Sequence, residues 1–287
     1  MFRSVLAFSA QSLLAGLLAG LFAGGAHALV PGEREVSRSV AFGGSCANCQ
    51  FSGKSLTGAS FMGGNFGGST LVGADLRGAE LMGANFGRAD FTRADMRGVT
   101  AHGTNFANAN FTRALLEGLE SEGVNFSRAN FSSAKLRNAE LLHSNLAGAI
   151  MLRADLRGAE LNGSNLRAVR ATNAVFSSAE LDGANMSRGL FDGADLRGAS
   201  MEGANLAGAV FTGADLTRAS LDGANISGAD FSTARGLKQG QLESACGDGA
   251  TRLPNGLSVR PCKMHHGLKR TRTVTRTGDG RVITVVT

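Results

Sequence analysis

The run Gly193-Ala194-Asp195-Leu196-Arg197-Gly198-Ala199 contains the unit that organises most of this chain. Within it, the large apolar residue Leu196 stands two residues after Ala194. From Phe51 to Phe231, a Phe, Leu, Met or Ile recurs at nearly every fifth position. A helix turns every 3.6 residues and a strand alternates every two, so neither brings positions five apart to one side. The period predicts a short extended side followed by a turn, with the large residue and the Ala before it pointing inward.

Three positions in this series lack a large residue, and at each of them the residue two earlier is larger than Ala. The pairs are Val99 with Ala101, Leu119 with Ser121, and Val169 with Ala171. Close packing requires such an exchange of volume in an interior, whereas outward positions have no reason to compensate. The pairs therefore support the inward assignment of both positions.

A second period, of 20 residues, sets the number of sides in one coil. Asn stands immediately before the large residue nine times in succession, and the other sides carry recurrent Phe, Arg or Glu. The Asn positions are Asn65, Asn85, Asn105, Asn125, Asn145, Asn165, Asn185, Asn205 and Asn225. The others are Phe91, Phe111, Phe131, Phe191, Phe211 and Phe231; Arg77, Arg97, Arg137, Arg157 and Arg197; and Glu80, Glu120, Glu140, Glu160 and Glu180. Twenty residues are four pentapeptides, so one coil is expected to have four sides.

The repeating unit resembles A-(D/N)-L-x-x, the consensus of the pentapeptide-repeat family, over residues 51–234. The resemblance implies an all-β solenoid, a right-handed quadrilateral β-helix. About nine coils at strand spacing, about 4.8 Å, would form a rod on the order of 45 Å long. Because 43% of the 287 residues are hydrophobic and 18% are charged, intrinsic disorder is not expected.

Residues 1–28 have the pattern of a secretory signal peptide. Arg3 supplies a positive start, an apolar stretch follows, and Ala26-His27-Ala28 is a cleavage site, so the mature chain is expected to begin at Leu29. The alternative is an uncleaved anchor helix, since the apolar stretch approaches the roughly 20 residues that span a bilayer. The signal predicts a periplasmic or secreted protein.

A solenoid exposes apolar surface and unpaired backbone groups at both ends, so it needs caps. We assign residues 29–50 to an N-terminal cap, which contains Cys46 and Cys49, and residues 235–262 to a C-terminal cap, which contains Cys246 and Cys262. In an exported protein these are disulfide candidates. A cross-pairing would have to span the rod, so the pairs Cys46–Cys49 and Cys246–Cys262 are expected.

The Cys46/Cys49 pair also has the Cys-x-x-Cys spacing of redox and metal sites. Redox use places such a pair at a helix start in a thioredoxin-like fold, which this sequence does not predict. Zinc needs four nearby ligands. A structural cap is favoured, and a redox or enzyme-accessory protein remains the alternative function.

The chain after the repeats changes in character. Residues 237–246 are predicted to form a short helix, with Leu237 and Leu242 as apolar contacts. The family resemblance implies a cap here and not an active site. Residues 263–287 form a basic tail in which 271–277 and 281–287 are compatible with a β-hairpin around Gly278-Asp279-Gly280. Docking on the cap, pairing with a partner and mobility all stay open for it.

Charge distinguishes the rod from the tail. Residues 51–234 hold 16 basic and 18 acidic side chains, whereas residues 235–287 hold 10 and 3. Candidate anion-binding residues are Lys263, Lys269, Arg270, Arg272, Arg276 and Arg281. An anionic envelope component or an unknown protein is the expected partner, with peripheral membrane contact or an end-to-end or tail-mediated homodimer as further options. A merely solvated basic end is the alternative, and nucleic-acid binding is not expected in an exported protein.

We find no catalytic constellation in the sequence, because the His residues are scattered or lie in the tail and no nucleophile, base and orienting group come together. No cofactor or metal is expected. Some family members mimic DNA and bind gyrase, but that role requires a strongly acidic rod in the cytoplasm, and this rod is nearly neutral. The sequence therefore predicts a non-catalytic exported solenoid that acts as a scaffold or as a binding surface for proteins or the envelope.

Overall fold

The computed structural model describes residue 44, residues 46–262 and two strands in the tail, at 272–276 and 282–286. The repeat region is built from single-residue parallel β-bridges, each of which joins residues 20 apart. The series runs without interruption from Gln50, which bridges Thr70, to Arg235, which bridges Asp215. Asn145, Asn165 and Asn185 are bridged in sequence, as a side marked by Asn requires. The predicted 20-residue coil is confirmed.

Each pentapeptide is an extended segment closed by a turn. The N–H of a large residue donates to the next coil, as from Phe51 to the Thr70 carbonyl at 2.7 Å. The N–H of the following Ala position donates back across the turn, as from Ala59 to the Leu56 carbonyl at 3.0 Å. The second residue after each large position from Phe51 to Ile226 has a positive φ, such as 65° at Gly58. Gly at this position therefore supplies a left-handed conformation that other residues adopt at a cost.

The core is one continuous cluster of inward side chains that runs along the coil axis. Large and Ala positions are buried throughout, and Leu156 is fully inaccessible to solvent. Two Phe columns stack along the axis, with ring centroids 5.2 Å apart for Phe106 and Phe126 and 4.9 Å for Phe111 and Phe131. All three volume-exchange pairs are buried, which confirms that both positions point inward.

Four outward faces follow one another around each coil, and we name them after their recurrent residues. The Asn face carries the bridges of Asn65 to Asn225, the Phe face those of Thr70 to Asp230, the Arg face those of Asp75 to Arg235, and the Glu face those of Ser60 to Ser220. Because the chain visits them in this order, the Phe and Glu faces lie on opposite sides of the rod. The Asn and Arg faces are likewise opposite.

The C-terminal cap contains a 3-10 helix at Gln239–Leu242, β1 at Cys246–Gly247 and β2 at Arg260–Pro261, with β1 and β2 parallel. Of the short helix expected over 237–246, only the 3-10 turn at Gln239–Leu242 is present; the predicted C-terminal end was wrong, because Cys246 continues the Asn column through a bridge to Asn225. The bridge spacing here grows beyond 20 residues. Leu242 is buried and Leu237 packs against the core, so the two apolar contacts are confirmed.

The tail contains β3 at Arg272–Arg276 and β4 at Val282–Val286, paired antiparallel with Val274 opposite Thr284. The hairpin expected from the sequence is thus confirmed in its strands. The turn at Gly278-Asp279-Gly280, residues 1–28 of the predicted signal peptide, and residues 29–43 lie outside the described residues. In the part of the chain that is described, no helix has the length and apolarity to cross a membrane.

Candidate functional site

Both cysteine pairs are disulfide-bonded, in the pairing predicted from the sequence. The Cα atoms of Cys46 and Cys49 are 5.6 Å apart, and those of Cys246 and Cys262 are 4.6 Å apart. Cys46 and Cys49 are partly buried and pack against the first coil. The backbone carbonyl of Cys46 also accepts a hydrogen bond from the Ser69 hydroxyl at 3.1 Å. This pair is therefore integrated into the end of the core.

The second disulfide closes the other end of the rod. Cys246 bridges Asn225, the last member of the Asn column, and Cys262 Sγ lies 3.3 Å from Asn225 Oδ1. The side chain of Gln241 donates to the carbonyls of Leu216 and Ala219 at 2.9 and 2.7 Å. The Leu216 carbonyl also accepts from the Ala219 N–H, whereas within residues 46–262 the Ala219 carbonyl has no backbone donor from a further coil, so Gln241 satisfies a backbone acceptor at the end of the rod. Residues 241–262 are thereby joined to the last coil of the rod.

The candidate anion-binding residues lie at the limit of what the structure describes. Arg272 and Arg276 belong to β3, whose backbone alone is described. The remaining four, Lys263, Lys269, Arg270 and Arg281, fall outside the described residues. The anion-binding role of this set stays a prediction.

The Asn face is a polar ladder that stiffens one side of the rod. Asn85 Nδ2 donates to Asn65 Oδ1 at 2.8 Å, and Asn125 Nδ2 donates to Asn105 Oδ1 at 3.0 Å. Each Oδ1 of the face also accepts the backbone N–H two residues later, at 3.1–3.3 Å. The amides thus fix both the turn and the stacking of coils. They are already hydrogen-bonded within the protein.

The Arg face carries most of the ion pairs of the described residues. The Asp before a large residue pairs with the Arg after it, because both point outward in an extended segment. Asp155 accepts from Arg157 Nη2 at 2.7 Å and also from Arg137 Nε at 2.6 Å. Asp75, Asp95 and Asp195 form the same pair with the Arg two residues later. Hydrogen bonds from Arg157 and Arg137 lower the pKa of Asp155 to about 2.

The Arg and Glu columns do not pair with each other. Within residues 46–262 no ion pair joins an arginine of the Arg column to a glutamate of the Glu column. The guanidinium groups bond to Asp in their own pentapeptides instead. Glu side chains have neutral partners where they have any, as at Asn162, whose Nδ2 lies 2.9 Å from Glu180 Oε2. The signal was in the sequence, since Asp-x-Arg recurs in the Arg column.

Two open grooves lie beside the Phe face. A groove of about 420 Å³ follows the corner between the Asn and Phe faces, where small residues such as Gly67 and Gly87 stand beside Arg88. The second groove, of about 380 Å³, crosses the Phe face between Ser132 and Thr172 and includes Leu152 and Arg153. Across the described chain, no three His, Cys, Asp or Glu side chains are grouped as a metal site would require. The rod therefore presents open grooves on its surface.

The chain belongs to the pentapeptide-repeat family. The family model, "Pentapeptide repeats", matches eight copies over residues 45–78, 79–118, 125–163, 159–198 and 199–235, which together make up more than half of the sequence. Members of this family form right-handed quadrilateral β-helices and are generally non-catalytic. The four-sided coil agrees with that fold.

Solved structures of the same class resemble the chain. HetL, a protein involved in heterocyst differentiation regulation in the cyanobacterium Nostoc sp. strain PCC 7120, is 28% identical over 80% of this chain and 94% of its own, with a TM-score of 0.35. Trypsin-treated QnrB1, a plasmid-mediated fluoroquinolone resistance protein, is 20% identical over 74% and 93%, with a TM-score of 0.35. A pentapeptide repeat protein of the Arabidopsis thaliana thylakoid lumen is 28% identical over 39% and 71%, with a TM-score of 0.21. No curated protein matched the chain significantly. With TM-scores this low, the family assignment rests on the repeats themselves.

Proposed function

We propose that this protein is a non-catalytic solenoid, a rod of about nine coils that presents binding surfaces outside the cytoplasm. One observation carries the proposal. The uninterrupted 20-residue bridge series places outward side chains in straight columns at strand spacing. A rigid array of this kind binds an extended surface without having to order its own backbone first.

The proposed location is the periplasm or the cell exterior, reached through the predicted signal at residues 1–28. Two disulfides support it, because such bonds persist in oxidising compartments. The proposed target of the basic tail is an anionic envelope component, since residues 235–287 hold 10 basic and 3 acidic side chains. Cations near an anionic bilayer contribute on the order of 1 kcal/mol each.

Co-sedimentation of the mature protein with vesicles tests the tail directly. Vesicles of anionic or neutral lipid are mixed at low and high salt with the intact protein and with a full-length variant in which Lys269, Arg270 and Arg272 are replaced by Gln. We expect the intact protein to bind anionic vesicles at low salt, to be released as salt rises, and to bind less well once the charges are removed. Equal binding to neutral vesicles, or no effect of the substitutions, would remove the electrostatic tether from the proposal.

A further inference from the structure

The nearly neutral rod keeps its charges on separate sides. The Glu face and its turns, which are the pentapeptides from 59–63 to 219–223, contain no Lys or Arg. They contain nine acidic residues: Glu80, Glu120, Glu122, Glu140, Glu160, Glu180, Asp182, Glu202 and Asp222. Seven are exposed, and Glu160 and Asp182 are half-buried. One whole side of the rod is therefore acidic over most of its length.

Arginines frame the opposite side. Along the two edges of the Phe face stand Arg88, Arg128 and Arg188 on one corner and Arg93, Arg113 and Arg153 on the other, and all six are exposed. Arg167 and Arg170 add two further exposed cations to this half of the rod. Against these, the Asn and Phe faces from 64 to 233 hold only three acids, Asp90, Asp192 and Asp230. The charge of this side is opposite in sign to that of the Glu face.

The backbone under the six corner arginines is in a conformation that disfavours a side chain. Their φ angles run from 55° at Arg153 to 61° at Arg88, in the left-handed region. An L-residue there costs roughly 1–2 kcal/mol, a cost that Gly avoids. On the corner that follows the Glu face the same position is Gly in every coil except that of His143, and on the corner that precedes it only one of the nine positions, Arg218, is a cation. Cations thus occupy strained positions along the Phe face where Gly would be more stable, a pattern typical of functional surfaces.

Neither charged side is neutralised from within. Within residues 46–262 none of the nine acids and none of the six corner arginines takes part in an ion pair of 4 Å or less. On the Arg face, which lies between the two sides, Asp75, Asp95, Asp155 and Asp195 are instead paired with arginines of the same face. The charges of the Glu and Phe faces are therefore available to a partner.

We propose that the Glu face of one copy docks side by side on the arginine-edged Phe face of a second copy. Two rods displaced sideways present the two faces to each other with the same coil spacing, so acids and arginines of the same coils come into register. Leu142 on the Glu face and Ile150 and Leu152 on the Phe face belong to one coil, and all three are half-buried. They would give the contact an apolar centre. Because the two surfaces differ, the contact is heterologous: each copy keeps one free Glu face or Phe face, so further copies can be added side by side into open arrays.

This inference rests on the proposed function of the rod as a binding surface, and it does not depend on the tail. The variant that breaks the basic side is Arg128→Gly/Arg153→Gly/Arg188→Gly. Gly suits a positive φ, so this variant folds at least as well as the parent. The matched control, Arg157→Ala/Arg197→Ala/Arg218→Gly, also removes three cations: two from the Arg face, and Arg218, which has a positive φ, from the corner between the Arg and Glu faces. The acidic side is broken by Glu140→Gln/Glu160→Gln/Glu180→Gln.

Sedimentation velocity of the mature full-length protein measures the association. We expect the parent and the control to associate at low salt and to dissociate at about 0.5 M salt, where screening is strong. The arginine variant and the glutamate variant should each lose at least tenfold in association constant. An equimolar mixture of the two should form dimers and stop, because it retains one intact pair of faces.

Three results would overturn the proposal. A monomeric parent at low salt would show that the faces do not meet. Equal association of the arginine variant and the parent would show that the Glu face binds an element other than the corner arginines. The basic tail would then be the first segment to test as that element. Absence of dimers in the mixture would show that the two faces are not each other's partners. Vesicle binding by the tail is read separately, so its failure is distinguishable from these outcomes.

Discussion

The Arg and Glu faces are neighbours on the same coils, yet they handle charge in opposite ways. On the Arg face, each Asp beside an Arg two residues later forms an ion pair, and the Asp155 carboxylate accepts from two guanidinium groups. On the Glu face, Glu120, Glu140, Glu160 and Glu180 are stacked directly on one another by bridges without an ion-pair partner in residues 46–262. Like charges stacked across strands repel. The backbone tolerates both arrangements, because the fold is determined from inside.

The comparison shows that the inward and outward halves of the pentapeptide serve different purposes. Leu156 under the Arg face and Leu161 under the Glu face are equally inaccessible to solvent. The outward positions are then free to be neutralised on one side and left charged on another. Substitutions at inward and at outward positions should therefore differ in their effect on stability.

The largest expected effect concerns the interior and should be the same under both faces. Leu156→Ala and Leu161→Ala should each lower the free energy of unfolding by about 2–5 kcal/mol, because each leaves a cavity in a covered core. Arg157→Ala, which changes an exposed residue, should cost less than about 0.5 kcal/mol. Denaturant unfolding of the three variants measures this. Equal losses for Leu156 and Arg157 would contradict the inward and outward assignment.

Acid should lower the stability that the ion pairs of Asp155 contribute on the Arg face. Its pKa is lowered from 3.8 to about 2 by hydrogen bonds from Arg157 and Arg137. A lowered folded-state pKa contributes stability that is present above pH 3.8 and is lost as the pH falls towards 2. After allowance for solvent screening, Asp155→Asn should cost roughly 1–2 kcal/mol at pH 7. This difference from the parent should shrink between pH 4 and pH 2 in denaturant titrations, and a difference independent of pH would refute the ion-pair account.

A smaller effect is expected at the strained corners. Arg128→Gly and Arg218→Gly should each raise stability by about 0.5 kcal/mol, because relief of the left-handed strain exceeds the entropy that Gly adds to the unfolded chain. Thermal unfolding of the two single variants gives the comparison. Destabilisation by Arg128→Gly alone would mean that its guanidinium has a structural role that its exposure does not suggest.

The smallest effect is expected on the Glu face. Glu140→Gln/Glu160→Gln should raise stability by a few tenths of a kcal/mol at low salt, since it removes repulsion between stacked carboxylates. The gain should vanish at high salt. Unfolding midpoints at the two salt concentrations test this. A loss of stability would show that these acids have favourable partners after all.

Much of the molecule could be predicted from the sequence because one pentapeptide fixes one side of a coil. The inward positions, the 20-residue coil and the Asn column followed from spacing alone. The cap could not be predicted in the same way, because outside the repeats two Leu residues and a Cys are compatible with either a helix or an extended segment. There the bridge between Cys246 and Asn225 decided between them.

The charged surfaces were only partly visible in the sequence. The Arg and Glu columns could be identified. The net charge of the rod, however, is close to zero, and this hides the separation of acids and arginines onto opposite faces. The Asp–Arg pairs were missed because the two residues stand on either side of a buried Leu, which separates them in sequence terms but not on the surface. Positive φ at the corners becomes visible only when the backbone is known.

The four-sided coil is the central claim of this account. The distance between two spin labels on one face of the rod tests it most directly. Thr100 and Ser200 lie in the Glu column, joined by five successive bridges, and Ser220 is one bridge further. Spin labels at residues 100 and 200 should be about 24 Å apart, and moving the second label to residue 220 should lengthen the distance by about 5 Å. A narrow distribution with that increment is the predicted result. A broad distribution, or an increment that does not correspond to one coil, would contradict the account.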